Sequence, residues 1–159
     1  MSLGLQRLKA EWSDWKKSQL PGYVMSPKVG DAGLDFYEWE ALIPGRQGTP
    51  WANGFYPIRI QCLPDFPATP PMVFFPPGFL HPNIWPHGRL CLDRLDSRWD
   101  PITTFKEVLA MVENVLHEPN WEIWDWGQDN NMKFKDDADH SLYHNEVRLM
   151  AQTYNKPTL

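Results

Sequence analysis

The chain has 159 residues, a formal net charge of −5, 42% hydrophobic and 22% charged residues. That size fits a single domain over 1–159 that buries about 70% of its unfolded surface, and the acidic balance argues against nucleic acid or an anionic membrane as partner. No run of about 18 apolar residues occurs, residues 1–20 lack an apolar signal segment, and Cys62 and Cys91 form neither a disulfide framework nor a CxxC pair, so both thiols are expected free in a reducing intracellular compartment.

The first predicted element is an amphipathic helix over Leu3–Lys17. Leu5, Leu8, Trp12 and Trp15 recur at steps of three and four, with Arg7, Lys9, Lys16 and Lys17 largely elsewhere. Pro21 and Gly22 stop it. Strand-like runs follow at 37–43, 55–63 and 72–75; in the second, Ile58, Ile60 and Cys62 alternate with Arg59 and Gln61. Cys62 therefore reads as a buried structural thiol. PGRQGTPWANG (44–54) carries the turn residues of an antiparallel meander.

Between Pro64 and Pro86 stand eight of the sixteen prolines. Such density excludes a regular ladder and predicts a fixed, irregular coil on the surface. A helix begins at Thr104, where TFKE fits a capping box, and Phe105, Val108, Leu109, Val112 and Leu116 form its apolar stripe. Pro119 ends it. The stretch 121–137, with Trp121, Trp124 and Trp126, has no clean period and reads as a loop, either a lid or docking surface or a cover for the core. A last helix over 138–155 places Tyr143, Val147, Met150 and Tyr154 on one face. This order gives an α+β fold with an antiparallel sheet.

One stretch concentrates reactive side chains. HPNIWPHGRLCL (81–92) holds two histidines, an asparagine and Cys91. Residue types leave three readings open: a half-buried structural cysteine, a metal site of His81, His87 and Cys91 at a spacing that matches no closed zinc pattern, or a catalytic thiol beside His81 or Asn83.

HPN (81–83), a cysteine eight residues after the asparagine, and CLDRLDSRWDP (91–101) together resemble the ubiquitin-conjugating enzyme family. FPATPPMVFF (66–75), the helix after Trp99 and Pro101, and EPN (118–120) extend the resemblance over nearly the whole chain. WEALIPGRQGTPWANG (39–54), WPHG (85–88) and LHEPN (116–120) are most similar to its SUMO-conjugating type. Two features depart from that type: Trp99 follows Cys91 by only eight residues, and the first helix, with Trp12, Ser13 and Asp14, is less basic.

The resemblance implies a four-stranded antiparallel meander between an N-terminal helix and C-terminal helices, with a loop insertion around 121–137. It also implies a mechanism without cofactor or metal. Cys91 takes the C-terminal acyl group of SUMO or another ubiquitin-like modifier from an activating enzyme, then passes it to a substrate lysine. Asn83 serves the oxyanion or braces the loop. His81 bonds loop backbone, Pro82 pre-sets the turn, and Trp85 desolvates the lysine. Glu122 or Asp125 orients that amine. The activating enzyme meets the first helix at Arg7, Lys9, Lys16 and Lys17. Ligases of the RING type meet the loops of Phe66, Pro67 and Ala68 and of Asp100 and Pro101. Ala68 stands where a generic ubiquitin ligase expects an aromatic. Nucleus and cytoplasm are the expected compartments. Two rivals from other classes are a cysteine hydrolase of Cys91, His81 and Asn83 and a non-catalytic binding module.

Overall fold

The computed structural model describes residues 1–123 and 132–159. Helix α1 spans Leu3–Lys17, started by Ser2, whose hydroxyl accepts from the Leu5 N–H. Its buried row is Gly4, Leu8, Glu11 and Trp15 rather than the expected Leu5, Leu8, Trp12 and Trp15. The rotation has two causes. A Cβ on Gly4 would lie 2.2 Å from the Phe66 carbonyl oxygen, so the helix touches that loop backbone to backbone. Glu11 is buried because its carboxylate accepts from Arg7 Nε (3.0 Å) and from the Phe105 N–H (3.1 Å).

Four strands follow as a meander in the order β1 (Val24–Gly30), β2 (Gly33–Pro44), β3 (Phe55–Gln61) and β4 (Met72–Phe74), each antiparallel to the next. The α+β class and the four-stranded sheet agree with expectation. Strand β1 does not alternate in residue type and contains Pro27, so residue pattern alone missed it. It is an edge strand, where proline is tolerated, and its register slips between Pro27 and Lys28.

Helix α2 (Phe105–His117) has the expected capping box between Thr104 and Glu107. It buries Phe105, Val108, Leu109, Val112, Val115 and Leu116, and Phe105 meets Trp39 of β2 edge to face at 4.8 Å. Helix α3 (Ser141–Thr153) buries Tyr143, Val147 and Ala151. It starts later than the pattern implied, because the Asp137 carboxylate accepts from the Leu142 and Tyr143 N–H groups and holds 137–140 as a turn.

The proline-rich stretch is irregular as expected, but it is not a surface coil. Phe66, Phe75, Phe79, His81, Asn83 and Ile84 within it are all buried. Proline removes ladder donors while leaving aromatic side chains free to fill the core. In 121–137, Trp121 stacks on His140 at 3.5 Å and packs edge-on to Tyr143, so this tryptophan covers the core. Phe134 is buried too. Trp124, Asp125 and Trp126 lie outside the described residues. Among the described residues no helix is long and apolar enough to cross a membrane.

Candidate active site

Two turns shape the flap after His81. The His81 carbonyl accepts from the Ile84 N–H (3.2 Å), and the Trp85 carbonyl accepts from the Gly88 N–H (2.8 Å). Gly88 sits at φ +104°, and a Cβ there would lie 2.1 Å from the Phe75 carbonyl oxygen, so only glycine closes the second turn. The chain then doubles back. Trp85 N–H donates to the Arg89 carbonyl (2.9 Å), Cys91 N–H to the Asn83 carbonyl (2.8 Å), and Leu90 N–H to the Val73 carbonyl on β4 (2.9 Å). The flap is a short ribbon fastened to the sheet.

Side chains alternate across such a ribbon. Ile84 and Leu90, bridged to each other, point into the core. Trp85, Arg89 and Cys91, all exposed, therefore share the outer side. Cys91 is exposed. Trp85, 43% exposed, is its diagonal neighbour across the ribbon. Beyond Cys91 the 3-10 turn Asp93–Leu95 buries Leu95, and Trp99 Nε1 donates to the Pro67 carbonyl (2.8 Å), so the thiol is anchored on both sides.

Asn83 is 2% exposed. Its Nδ2 donates to the Asn120 carbonyl (2.8 Å) and its Oδ1 accepts from the Asn120 N–H (2.9 Å). This two-point clamp ties the thiol's ribbon to the EPN segment. His81 is equally buried. Its Nδ1 accepts from the Asn83 N–H (3.1 Å), which leaves Nε2 as the protonated nitrogen donating to the Val115 carbonyl (2.8 Å). Burial pushes its pKa down to about 4. A ring with both nitrogens engaged offers neither a base for Cys91 nor a lone pair for a metal. That removes the hydrolase reading and the reading of His81, His87 and Cys91 as ligands. Pro82 is buried within this turn.

The other thiol has a different environment. Cys62 is buried in the core, and desolvation pushes its pKa up, so it stays protonated.

The remaining candidates fall at separate places. Glu122 is exposed, two residues past Asn120, whose Oδ1 accepts from the Glu122 N–H (3.1 Å). Asp125 lies outside the described residues. Lys9, Lys16 and Lys17 are exposed on α1, with Lys9 over the Phe36 ring and Lys16 over Trp12. Arg7 is spent within the chain, donating to the Pro101 and Thr103 carbonyls as well as to Glu11. Phe66 is buried beside Trp99 and Phe105, whereas Ala68, Asp100 and Pro101 are exposed, next to an Ile102 that is 79% exposed. Sequence reasoning took EPN only as a likeness and missed that the Asn120 backbone is the partner of Asn83. It also missed Glu11, whose spacing of four from Arg7 was the available signal.

An open thiol without a histidine base, on a ribbon held rigid from both sides, suits a protein that carries an acyl group on sulfur and hands it on. The profile of the ubiquitin-conjugating enzyme family matches residues 7–150, and the chain belongs to that family. It is accordingly a transferase that works through a cysteine thioester. Among curated proteins it is 38% identical over 117 residues to SUMO-conjugating enzyme SCE1 of Arabidopsis thaliana, covering 72% of this chain and 73% of that protein. It is 40% identical over 119 residues to SUMO-conjugating enzyme UBC9 of Caenorhabditis elegans, covering 73% and 72% respectively.

Proposed function

We propose that this protein conjugates SUMO, carried as a thioester on Cys91, to substrate lysines. The observation that carries the choice of sulfur is the contrast between an exposed, ribbon-held Cys91 and a buried, protonated Cys62. The choice of modifier is supported by the two SUMO-conjugating relatives.

In the first step the Cys91 thiolate attacks the thioester joining the modifier to its activating enzyme, and the activating enzyme's thiolate leaves. In the second, a neutral lysine amine attacks the Cys91 thioester carbonyl. The tetrahedral intermediate collapses, expels the Cys91 thiolate and loses the amine proton, leaving an isopeptide. Trp85 presents an apolar wall beside the thiol, which disfavours the charged ammonium and releases the nucleophile. Asn83 acts chiefly as the brace. Its Nδ2 spends one N–H on Asn120 and keeps a second for the oxyanion. Glu122, exposed two residues past Asn120, orients the incoming amine.

The exposed lysines of α1 fit the activating enzyme, and the surface of Ala68, Asp100, Pro101 and Ile102 fits a ligase. Nucleus and cytoplasm are the compartments proposed. The spacing of eight residues from Cys91 to Trp99 and the acidic balance of the chain favour ubiquitin as the second reading. A charging assay separates them. With ATP and the matched activating enzyme, a thiol-sensitive band is expected with SUMO and none with ubiquitin. A band with ubiquitin alone overturns the choice of modifier.

A further inference from the structure

The C-terminal turn of α2 is held by two imidazoles. His81 donates from Nε2 to the Val115 carbonyl. His117, the last residue of the helix, has a side chain 1% exposed. Its Nε2 is 2.8 Å from the Arg46 backbone nitrogen, and its Nδ1 is 2.7 Å from the Glu113 carbonyl oxygen. A backbone N–H can only donate, so Nε2 is the bare nitrogen and Nδ1 carries the proton. His117 thus caps its own helix with one nitrogen and fastens the 44–54 loop with the other. The Arg46 guanidinium reinforces the joint through a bidentate pair with Glu113 (3.0 and 2.9 Å).

Two routes run from this joint to the thiol, and both end on Asn83. Along the chain, Asn120 is three residues past His117, and its backbone clamps the Asn83 amide. Through space, the 44–54 loop carries Trp51, which stacks on Phe79 at 5.6 Å and lies 6.2 Å from the His81 ring. His81 in turn accepts from the Asn83 N–H, and the Asn83 carbonyl receives the Cys91 N–H. From this geometry we infer that His117 is a positioning residue for Cys91, setting the flap through its bare Nε2 on the Arg46 N–H. The inference rests on the reading of Cys91 as the thioester carrier.

The role makes the thiol's placement sensitive to acid. A proton on Nε2 would confront the Arg46 N–H and open the joint. Burial holds the imidazole pKa below its ordinary value, against the hydrogen bond to the Glu113 carbonyl and the Glu113 charge. The facing groups are Arg46, which opposes protonation, and Glu113 and Glu118, which favour it. His81 is close enough to feel the charge of His117, and Tyr23 feels that of Glu113 and Arg46.

His117→Gln and His117→Asn divide the two nitrogens. Glutamine reaches as far as Nε2 and can accept from Arg46, whereas asparagine reaches only as far as Nδ1 and can donate to Glu113. Neither titrates. Each variant is charged with modifier, and single-turnover discharge to free lysine is followed from about pH 5 to about pH 8, where imidazole changes charge. The asparagine variant is expected to lose about ten- to a hundredfold in limiting rate constant at unchanged half-saturating lysine, the size of a small misplacement of reacting groups. The glutamine variant is expected to restore most of the rate at the alkaline end and to outpace the parent at the acid end. Equal rates for parent and both variants at every pH, with only the melting temperature moved, overturn the inference. A parent chain that charges with neither SUMO nor ubiquitin, each with its own activating enzyme, overturns instead the reading of Cys91.

Discussion

Replacing Asn83 by alanine separates a brace from an oxyanion donor. The side chain makes two bonds to the Asn120 backbone, at 2.8 and 2.9 Å. A neutral hydrogen bond contributes on the order of 1 kcal/mol net, so the loss of both costs about 2 kcal/mol. Both bonds are part-buried, so about 2 kcal/mol is the lower bound of the cost. In a domain of this size about 2 kcal/mol lowers Tm by roughly 4–8 °C. Urea unfolding followed by tryptophan fluorescence reads the change directly, and an unchanged m-value shows that only stability has moved. The same variant is then charged and its discharge to lysine timed. The brace predicts that stability and rate fall together. A variant as stable as the parent that loses rate alone refutes the reasoning, because two bonds at the root of the flap would then hold nothing.

Other outcomes follow from the same contacts. His81 has a folded pKa of about 4 against an ordinary 6.5, so between those values the unfolded chain binds the proton and the folded chain does not. Stability therefore rises with pH across that window, and acidification through it costs about 3 kcal/mol, a contribution that His81→Asn should remove from the urea midpoints while that of His117 stays. Trp51→Ala, at a site 3% exposed and stacked on Phe79, should cost about 3–5 kcal/mol by the same measurement. Gly88→Ala meets both a positive φ and the Phe75 carbonyl. It should cost at least about 1–3 kcal/mol and slow charging.

Much of the fold was legible because its signals are local. The capping box at Thr104 and the apolar stripe of α2 specify that helix without tertiary help. Strand β1 was not legible: Met25 and Pro27 alternate inward between Val24, Ser26 and Lys28, but VMSPKVG does not alternate in residue type, and its proline argues against a strand. The burial of the proline-rich stretch was missed for a related reason: proline reports lost ladder bonds, not whether Phe66, Phe75 and Phe79 face inward. At the site, Cys91 and Asn83 stood out through the motif that contains them. Their partners did not. Asn120 acts through its backbone, which any residue supplies, and the Arg46 N–H on His117 joins residues 71 positions apart, a distance no local pattern spans.

The central claim is that Cys91, and not Cys62, bears the modifier. The chain would be charged with ATP and activating enzyme, and the thioester adduct located by peptide mapping without reductant, alongside Cys62→Ala and Cys91→Ala. The account predicts an adduct on Cys91 in the parent and in Cys62→Ala, reversed by added thiol, and none in Cys91→Ala. An adduct that survives in Cys91→Ala, or one mapped to Cys62, would contradict it.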